Sequence, residues 1–129
     1  MRSEAYRRAI CIGLKTAVLV PYVHVSIGDW QPRVGDCHNN VDHWVREKPG
    51  DSPVRGWVTF GTDGGTKILL TLHSVVRGAD GRLFDITPLG NEVVRGTMFF
   101  VPHTESEDDF ARLIDSRRNT LECDTGSAQ

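Results

Sequence analysis

The sequence has few cysteines and no long hydrophobic run, and each shortage excludes a class of protein. Its 129 residues include three cysteines, Cys11, Cys37 and Cys123, none of them in CxxC spacing. An odd number leaves at least one cysteine unpaired, and the lack of paired spacing predicts a reducing compartment rather than a disulfide framework. No stretch approaches the ~20 apolar residues that a transmembrane helix needs. We therefore expect a cytoplasmic protein, or a secreted effector delivered without an N-terminal signal.

A strong charge of either sign is also lacking. The chain has 15 Lys and Arg against 17 Asp and Glu, for a net charge of −2, which argues against a dedicated nucleic-acid binder. Residues 1–102 carry 12 basic and 10 acidic side chains, whereas residues 103–129 carry 3 and 7. The acidity therefore belongs to the C-terminal segment. We expect neither a nucleic acid nor a membrane as partner. No feature of the sequence indicates an oligomeric state.

The order of apolar patterns predicts one α+β domain over residues 1–118 and a disordered tail over residues 119–129. Helices are predicted at residues 3–14, 37–48 and 104–118, and strands at residues 16–27, 54–60, 68–76, 82–87 and 93–101. This order favours an antiparallel sheet of four or five strands with helices packed on it.

The second predicted helix places a cysteine at its first position. Cys37, Val41, Trp44 and Val45 form one apolar stripe, and Asp36 is suited to cap the helix. The free N–H groups and the dipole at a helix N-terminus favour a thiolate. Cys37 is therefore a candidate nucleophile, and a buried structural cysteine is the alternative.

A predicted hairpin downstream brings a base and a carboxylate together. The turn Gly78-Ala79-Asp80-Gly81 joins the strand of His73 to the strand of Asp85. Folding about this turn places Asp85 opposite or diagonal to His73. A carboxylate that orients an imidazole forms the base half of a nucleophilic triad. A core histidine paired with a neighbouring carboxylate is the alternative.

These residues carry a family resemblance. Gly35-Asp36-Cys37, then His73-Ser74-Val75, then Asp85-Ile86-Thr87-Pro88 is similar to the Cys, His, Asp order of transglutaminase-like and papain-like thiol enzymes. The resemblance implies a nucleophile that caps a helix packed on an antiparallel sheet, with no cofactor. Gln31 stands six residues before Cys37, where papain-like peptidases have their oxyanion-hole glutamine. Papain-like enzymes usually have Asn in place of Asp85 and an aromatic residue in place of His38.

The sequence therefore predicts a small cysteine hydrolase or acyltransferase acting on amide bonds through Cys37, His73 and Asp85. It would be a peptidase, a glutamine deamidase or a transglutaminase-like enzyme, acting on a protein, a peptide or a small amide. Two alternatives stay open. The same three residues could be zinc ligands with an open fourth position, or the chain could be a non-catalytic binding module of the same fold.

Two further groups of polar residues receive weaker interpretations. Asn39 and Asn40 could line a cleft or simply face water. Arg77, Arg82 and Arg95 are expected on a solvated face of the sheet.

Overall fold

The described part of the chain contains three helices and six strands in an α+β arrangement, which confirms the predicted fold class. The computed structural model describes residues 4–62, 64–116 and 119–124. The helices are α1 (Glu4–Gly13), α2 (Cys37–Glu47) and α3 (Glu107–Asp115). The strands are β1 (Val18–Leu19), β2 (Ser52–Thr62), β3 (Lys67–Arg77), β4 (Leu83–Phe84), β5 (Phe99–Pro102) and β6 (Thr120–Asp124). Within these ranges no helix is long and apolar enough to cross a bilayer.

The six strands form one antiparallel sheet, one strand more than the upper predicted number. Its order is β1-β5-β2-β3-β4, and β6 also pairs with β3. The long strands β2 and β3 pair along their whole length, so β4 and β6 share the other edge of β3. β6 pairs with Lys67–Thr71 and β4 with Val76–Arg77. His73 therefore lies between the two short strands, where that edge of β3 is open to another element.

The helices pack on the sheet through buried apolar side chains. Helices α1 and α3 share one cluster with the middle of the sheet, where Trp57 is buried and its Nε1 donates to Tyr6 Oη at 2.9 Å. Helix α2 packs through Val41 against Val76 and Ile86. This contact fixes α2 on the end of β3 beyond His73 and so determines where the helix N-terminus lies.

Part of the predicted disordered tail is ordered, and the expectation that the cysteines form no disulfide is wrong. Residues 120–124 form β6, and Cys123 on that strand is joined to Cys11 on α1 by a disulfide. The two cysteines are 112 residues apart in sequence, but their Cα atoms are 5.5 Å apart in the fold, a distance typical of a disulfide. Such a pairing depends on the tertiary fold and leaves no local spacing pattern. Residues 125–129 of the predicted tail lie outside the described residues.

Three predicted strands are shorter than expected, and the strand predicted over residues 82–87 is reduced to β4. The segment predicted as a strand over residues 16–27 keeps only β1, and Pro21 then leads into irregular chain. In the predicted strand over residues 93–101, a 3₁₀ helix (Glu92–Thr97) precedes β5. The Asn91 side chain accepts a hydrogen bond from Val93 N and caps this 3₁₀ helix. Branched apolar composition favoured strands over residues 16–27 and 93–101, but a proline and a local cap determined the structure there.

Gly56 is the strand residue at which a side chain has least room. It pairs with His73 across β2 and β3, and an added Cβ would lie 2.3 Å from Val101 O and 2.7 Å from the Phe100 ring. We expect Gly56→Ala to lower the free energy of unfolding by about 1–3 kcal/mol, as overpacking typically does. Gly90→Ala is the matched control because nothing lies within 4 Å of its added Cβ. Urea unfolding of both variants checks this, and equal midpoints would contradict it.

Candidate active site

Cys37 is the first residue of α2, as predicted, and its thiol is the free one among three cysteines that all lie in the described residues. Gly35 has a φ of 75°, which turns the chain sharply into the helix. The Asp36 side chain makes no cap hydrogen bond in the described structure and instead accepts from Asn39 Nδ2 at 2.9 Å. The first N–H groups of α2 therefore lack a side-chain cap beside the sulfur, and such groups can stabilise an anion.

His73 and Asp85 lie in hydrogen-bond contact, as the hairpin predicted. His73 Nε2 is 2.7 Å from Asp85 Oδ2, and both side chains are buried. Asp85 directly follows β4 and is held by its backbone, because its N donates to Pro21 O and its O accepts from Val23 N. The β3–β4 register and the contacts with the irregular segment after β1 together orient the carboxylate. The geometry matches the base half of a triad.

The buried carboxylate of Asp85 has two further partners, one of which the sequence interpretation missed. Thr87 N donates to Asp85 Oδ1 at 3.0 Å, and Arg95 Nη1 donates to Oδ2 at 2.9 Å. Arg95 also donates to Thr87 O and lies over the Tyr22 ring. The expected solvated position of Arg95 is therefore wrong: its guanidinium compensates a buried carboxylate, which is costly to leave unpaired.

The electrostatics of Cys37 and His73 favour a thiolate–imidazolium pair. Burial opposes ionisation of the thiol, but hydrogen bonding to His38 and His73, with the charge of both, lowers the pKa of Cys37 to about 6. Burial also opposes the imidazolium, but hydrogen bonding to Asp85 and to Cys37 raises the pKa of His73 to about 9. Between these values both groups are charged, which is the reactive form of a cysteine nucleophile.

His38 is a second imidazole beside the sulfur, and the sequence interpretation assigned it no role. Its Nδ1 is 3.7 Å from Cys37 Sγ and 2.7 Å from Ser74 Oγ. Ser74 Oγ in turn accepts from Arg55 Nη1 at 2.9 Å, and Arg55 pairs with carboxylates of α2 and α3. His38 is therefore held in place by β2 and β3, although it belongs to α2. No local sequence pattern signals this contact.

Asn40 is a positioning residue rather than a residue facing water. It is buried, and its side chain exchanges hydrogen bonds with the backbone N and O of Arg33. Its Nδ2 also donates to Thr87 Oγ1 at 3.0 Å. Asn40 thus ties the loop before α2 and the segment after Asp85 to the helix that carries Cys37.

The structure does not bring Gln31 to the sulfur. Gln31 is exposed, and it is not among the described residues that line the cleft at Cys37. It lies between two anchored neighbours: Trp30 is hydrogen-bonded back to Ile27, and Arg33 is held by Asn40. The six-residue offset from Cys37 is present, but this loop keeps Gln31 at the surface. The predicted oxyanion role of Gln31 is without support.

A cleft of about 370 Å³ opens at Cys37 and His73. It brings together residues of α2, of the central strands, of the segment around the 3₁₀ helix and of α3. Its lining consists of Gly35, Cys37, His38, Val58, Thr71, Leu72, His73, Thr87, Leu89, Met98, Ile114 and Asn119. A volume near the lower end of the usual 300–1,000 Å³ range suits a small ligand or one part of a larger one.

The zinc alternative lacks a ligand set. Across residues 4–62, 64–116 and 119–124, no group of three or more His, Cys, Asp or Glu side chains is arranged to hold a metal ion. His73 Nε2 and Asp85 Oδ2 are hydrogen-bonded to each other, so the two groups do not converge on one ion.

His73 is thus hydrogen-bonded to Asp85 and shares one cleft with Cys37, and His38 and Arg95 are the unexpected neighbours of this group. Comparison with protein-family models, with curated proteins and with solved structures gives no match for this chain.

Proposed function

We propose that the protein is a cysteine-dependent hydrolase or acyltransferase that acts on amide bonds. The observation that carries the proposal is that the hydrogen-bonded pair of His73 and Asp85 shares one cleft with Cys37, where the pKa of the thiol is lowered to about 6. A buried structural cysteine has no need of such a partner, whereas perturbed pKa values are common at catalytic sites. The Cys, His, Asp order on a helix and an antiparallel sheet also supports membership of the transglutaminase-like and papain-like superfamily.

The proposed reaction begins with attack of the Cys37 thiolate on the carbonyl carbon of an amide. The electron pair of the C=O bond moves to oxygen, and the first N–H groups of α2 stabilise the oxyanion; one such donor is typically worth about 3–4 kcal/mol. The C–N bond then breaks, and the His73 imidazolium gives its proton to the leaving amine. A thioester on Cys37 remains.

In the second half of the reaction, the neutral His73 accepts a proton from water or from an acceptor amine. That nucleophile adds to the thioester carbonyl, the C–S bond breaks, and the thiolate–imidazolium pair is restored. Asp85 keeps His73 oriented throughout and stabilises its charged form. Water as acceptor gives hydrolysis, and an amine gives acyl transfer. The proposed substrate is a protein, a peptide or a small amide.

The test is the pH dependence of thiol alkylation and of acyl transfer. The thiolate forms as pH rises through about 6, and the imidazolium is lost as pH rises through about 9. Alkylation of Cys37 by iodoacetamide should therefore reach half its plateau near pH 6. Thioester formation and turnover on an activated amide should give a bell-shaped profile between these values.

Cys37→Ser provides the background, and urea-unfolded protein provides the ordinary thiol, whose midpoint should lie near 9.0. A native midpoint close to that of the unfolded chain, with no acyl group found on Cys37 by mass spectrometry, would remove the basis of the proposal. A non-catalytic binding module would then be the better hypothesis.

The compartment is a separate hypothesis. A cytoplasmic location is the prediction from the cysteine count, but the Cys11–Cys123 disulfide argues against it. Disulfides persist mainly in oxidising compartments and are reduced in most cytosols. The disulfide thus favours delivery to an oxidising environment, as for a secreted effector.

A further inference from the structure

The cleft at Cys37 is walled by apolar side chains that come from separate parts of the chain. Val58 belongs to β2, Leu72 to β3 and Ile114 to α3, while Leu89 and Met98 lie before and after the 3₁₀ helix. Val58 and Leu72 are already buried, whereas Leu89, Met98 and Ile114 keep part of their apolar surface in contact with water, which is unfavourable until a ligand covers it. The lining therefore suits a ligand whose own apolar surface covers Leu89, Met98 and Ile114.

Two polar groups of the lining are already engaged within the protein. Thr71 Oγ1 donates to Asn119 O at 3.1 Å, and Thr87 Oγ1 accepts from Asn40 Nδ2 at 3.0 Å. Each hydroxyl therefore has a protein partner before any substrate arrives. The carboxylate of Asp85 is likewise occupied by His73, Arg95 and Thr87 N. Apart from Cys37, His38, His73 and Asn119, the described lining thus presents hydrocarbon to a ligand.

We propose that this cleft takes an acyl donor whose acyl part carries a neutral, compact apolar side chain of about leucine size. The inference rests on the proposed function and names its substrate class. The thioester forms between Cys37 Sγ and the acyl carbonyl carbon, and the amine leaves with the proton of His73. The apolar side chain then lies against Leu89, Met98 and Ile114 until water or an amine takes the acyl group. A charged side chain in the same place loses hydration without gaining a partner.

Irreversible acyl analogues provide the test. Acetyl-leucyl, acetyl-aspartyl and acetyl-lysyl chloromethyl ketones are compared at pH 7, each rate being divided by that of iodoacetamide on the same sample. We expect the leucyl probe to alkylate Cys37 at least about 10-fold faster than either charged probe, within the 10–200-fold range of apolar pockets. Equal rates, or a faster charged probe, would overturn the inference.

A matched pair of variants separates the cleft from the rest of the surface. Ile114 and Ile12 are both exposed isoleucines on helices, but only Ile114 is part of the described cleft lining. Ile114→Lys should slow the leucyl probe about 10-fold and speed the aspartyl probe, whereas Ile12→Lys should change neither. If both variants behave alike, the side chain does not lie against α3.

The two proposals fail differently. If iodoacetamide shows no low-pH alkylation of Cys37, the proposed function fails and no selectivity is expected. If iodoacetamide reacts as expected but the three probes react at one rate, only the substrate class is wrong.

Discussion

Replacement of His73 by alanine should move the pH midpoint of Cys37 alkylation from about 6 toward the ordinary thiol value of 9.0. His73 contributes both a hydrogen bond and a positive charge to the thiolate. Its removal leaves His38 as the remaining imidazole beside the sulfur, and His38 then alone opposes the rise in pKa that burial causes. Asp85 keeps Arg95 and Thr87 N as partners in this variant, which favours retention of the fold.

The loss of catalysis should be larger than the loss of alkylation. The variant lacks the group that protonates the leaving amine, and general acid–base catalysis is typically worth about 10²–10⁴-fold. A thiolate of higher pKa is intrinsically more nucleophilic, which partly offsets its smaller population at pH 7. We therefore expect turnover to fall by about 10²–10⁴-fold, with a smaller change in the iodoacetamide rate. The midpoint of the pH profile, rather than a single rate, is the decisive measurement for the thiol.

His38→Ala is the matched control for this experiment. His38 also lies beside the sulfur, at 3.7 Å, but Ser74 rather than a carboxylate holds its ring. Removal of His38 should raise the pH midpoint of Cys37 alkylation. The fall in turnover at alkaline pH, which reflects loss of the His73 proton, should keep its midpoint. If His38→Ala abolishes turnover and His73→Ala does not, the assignment of the base is wrong. Thermal unfolding of both variants separates either effect from misfolding.

The parts of the site that local sequence could predict are those that depend on one helix start and one hairpin. Cys37 opens α2 because Gly35 and Asp36 turn the chain there, and the Gly78–Gly81 turn brings Asp85 to His73. Both inferences use residue spacings of a dozen residues or fewer.

The missed residues reach the site through tertiary packing. Arg95 lies on a 3₁₀ helix where branched residues predicted a strand, so alternation suggested a solvated position for a side chain that is bonded to Asp85. His38 contacts Ser74 on a different element, held by Arg55 on a third. Gln31 illustrates the opposite error, since a correct offset from Cys37 did not place it in the cleft.

The fold, like the site, was predictable from the sequence where it depends on local patterns. Central strands β2 and β3 and helix α2 lie where apolar periodicity placed them. Strand β6 was not predicted, because its alternation is short and follows an acidic helix. Its stability depends on a ladder with β3 and on a bond to Cys11, a residue 112 positions away. A local window contains neither partner, so composition alone suggested a tail.

Removal of the Cys11–Cys123 disulfide should lower the free energy of unfolding more than any other change outside the cleft at Cys37. Linking residues 112 positions apart restricts the unfolded chain strongly, and the chain-entropy relation gives about 4.7 kcal/mol for a loop of about 100 residues. We expect the double variant Cys11→Ser, Cys123→Ser to lose about 3–5 kcal/mol of unfolding free energy. Urea unfolding of wild type, with and without reductant, checks this: the reduced wild type should match the double variant.

Cys37→Ser is the control, since it removes a thiol but closes no loop, and its unfolding should keep the wild-type sensitivity to reductant. Thiol counting by mass spectrometry under denaturing conditions should find one alkylated cysteine before reduction and three after it.

Loss of the disulfide should also destabilise the cleft at Cys37. Strand β6 follows Asn119, whose backbone oxygen accepts hydrogen bonds from Leu72 N and Thr71 Oγ1 in the cleft lining. A reduced protein that unfolds at the same urea concentration as the oxidised one would show that packing alone holds β6. The reducing cytoplasm would then again be a compartment in which this fold can persist.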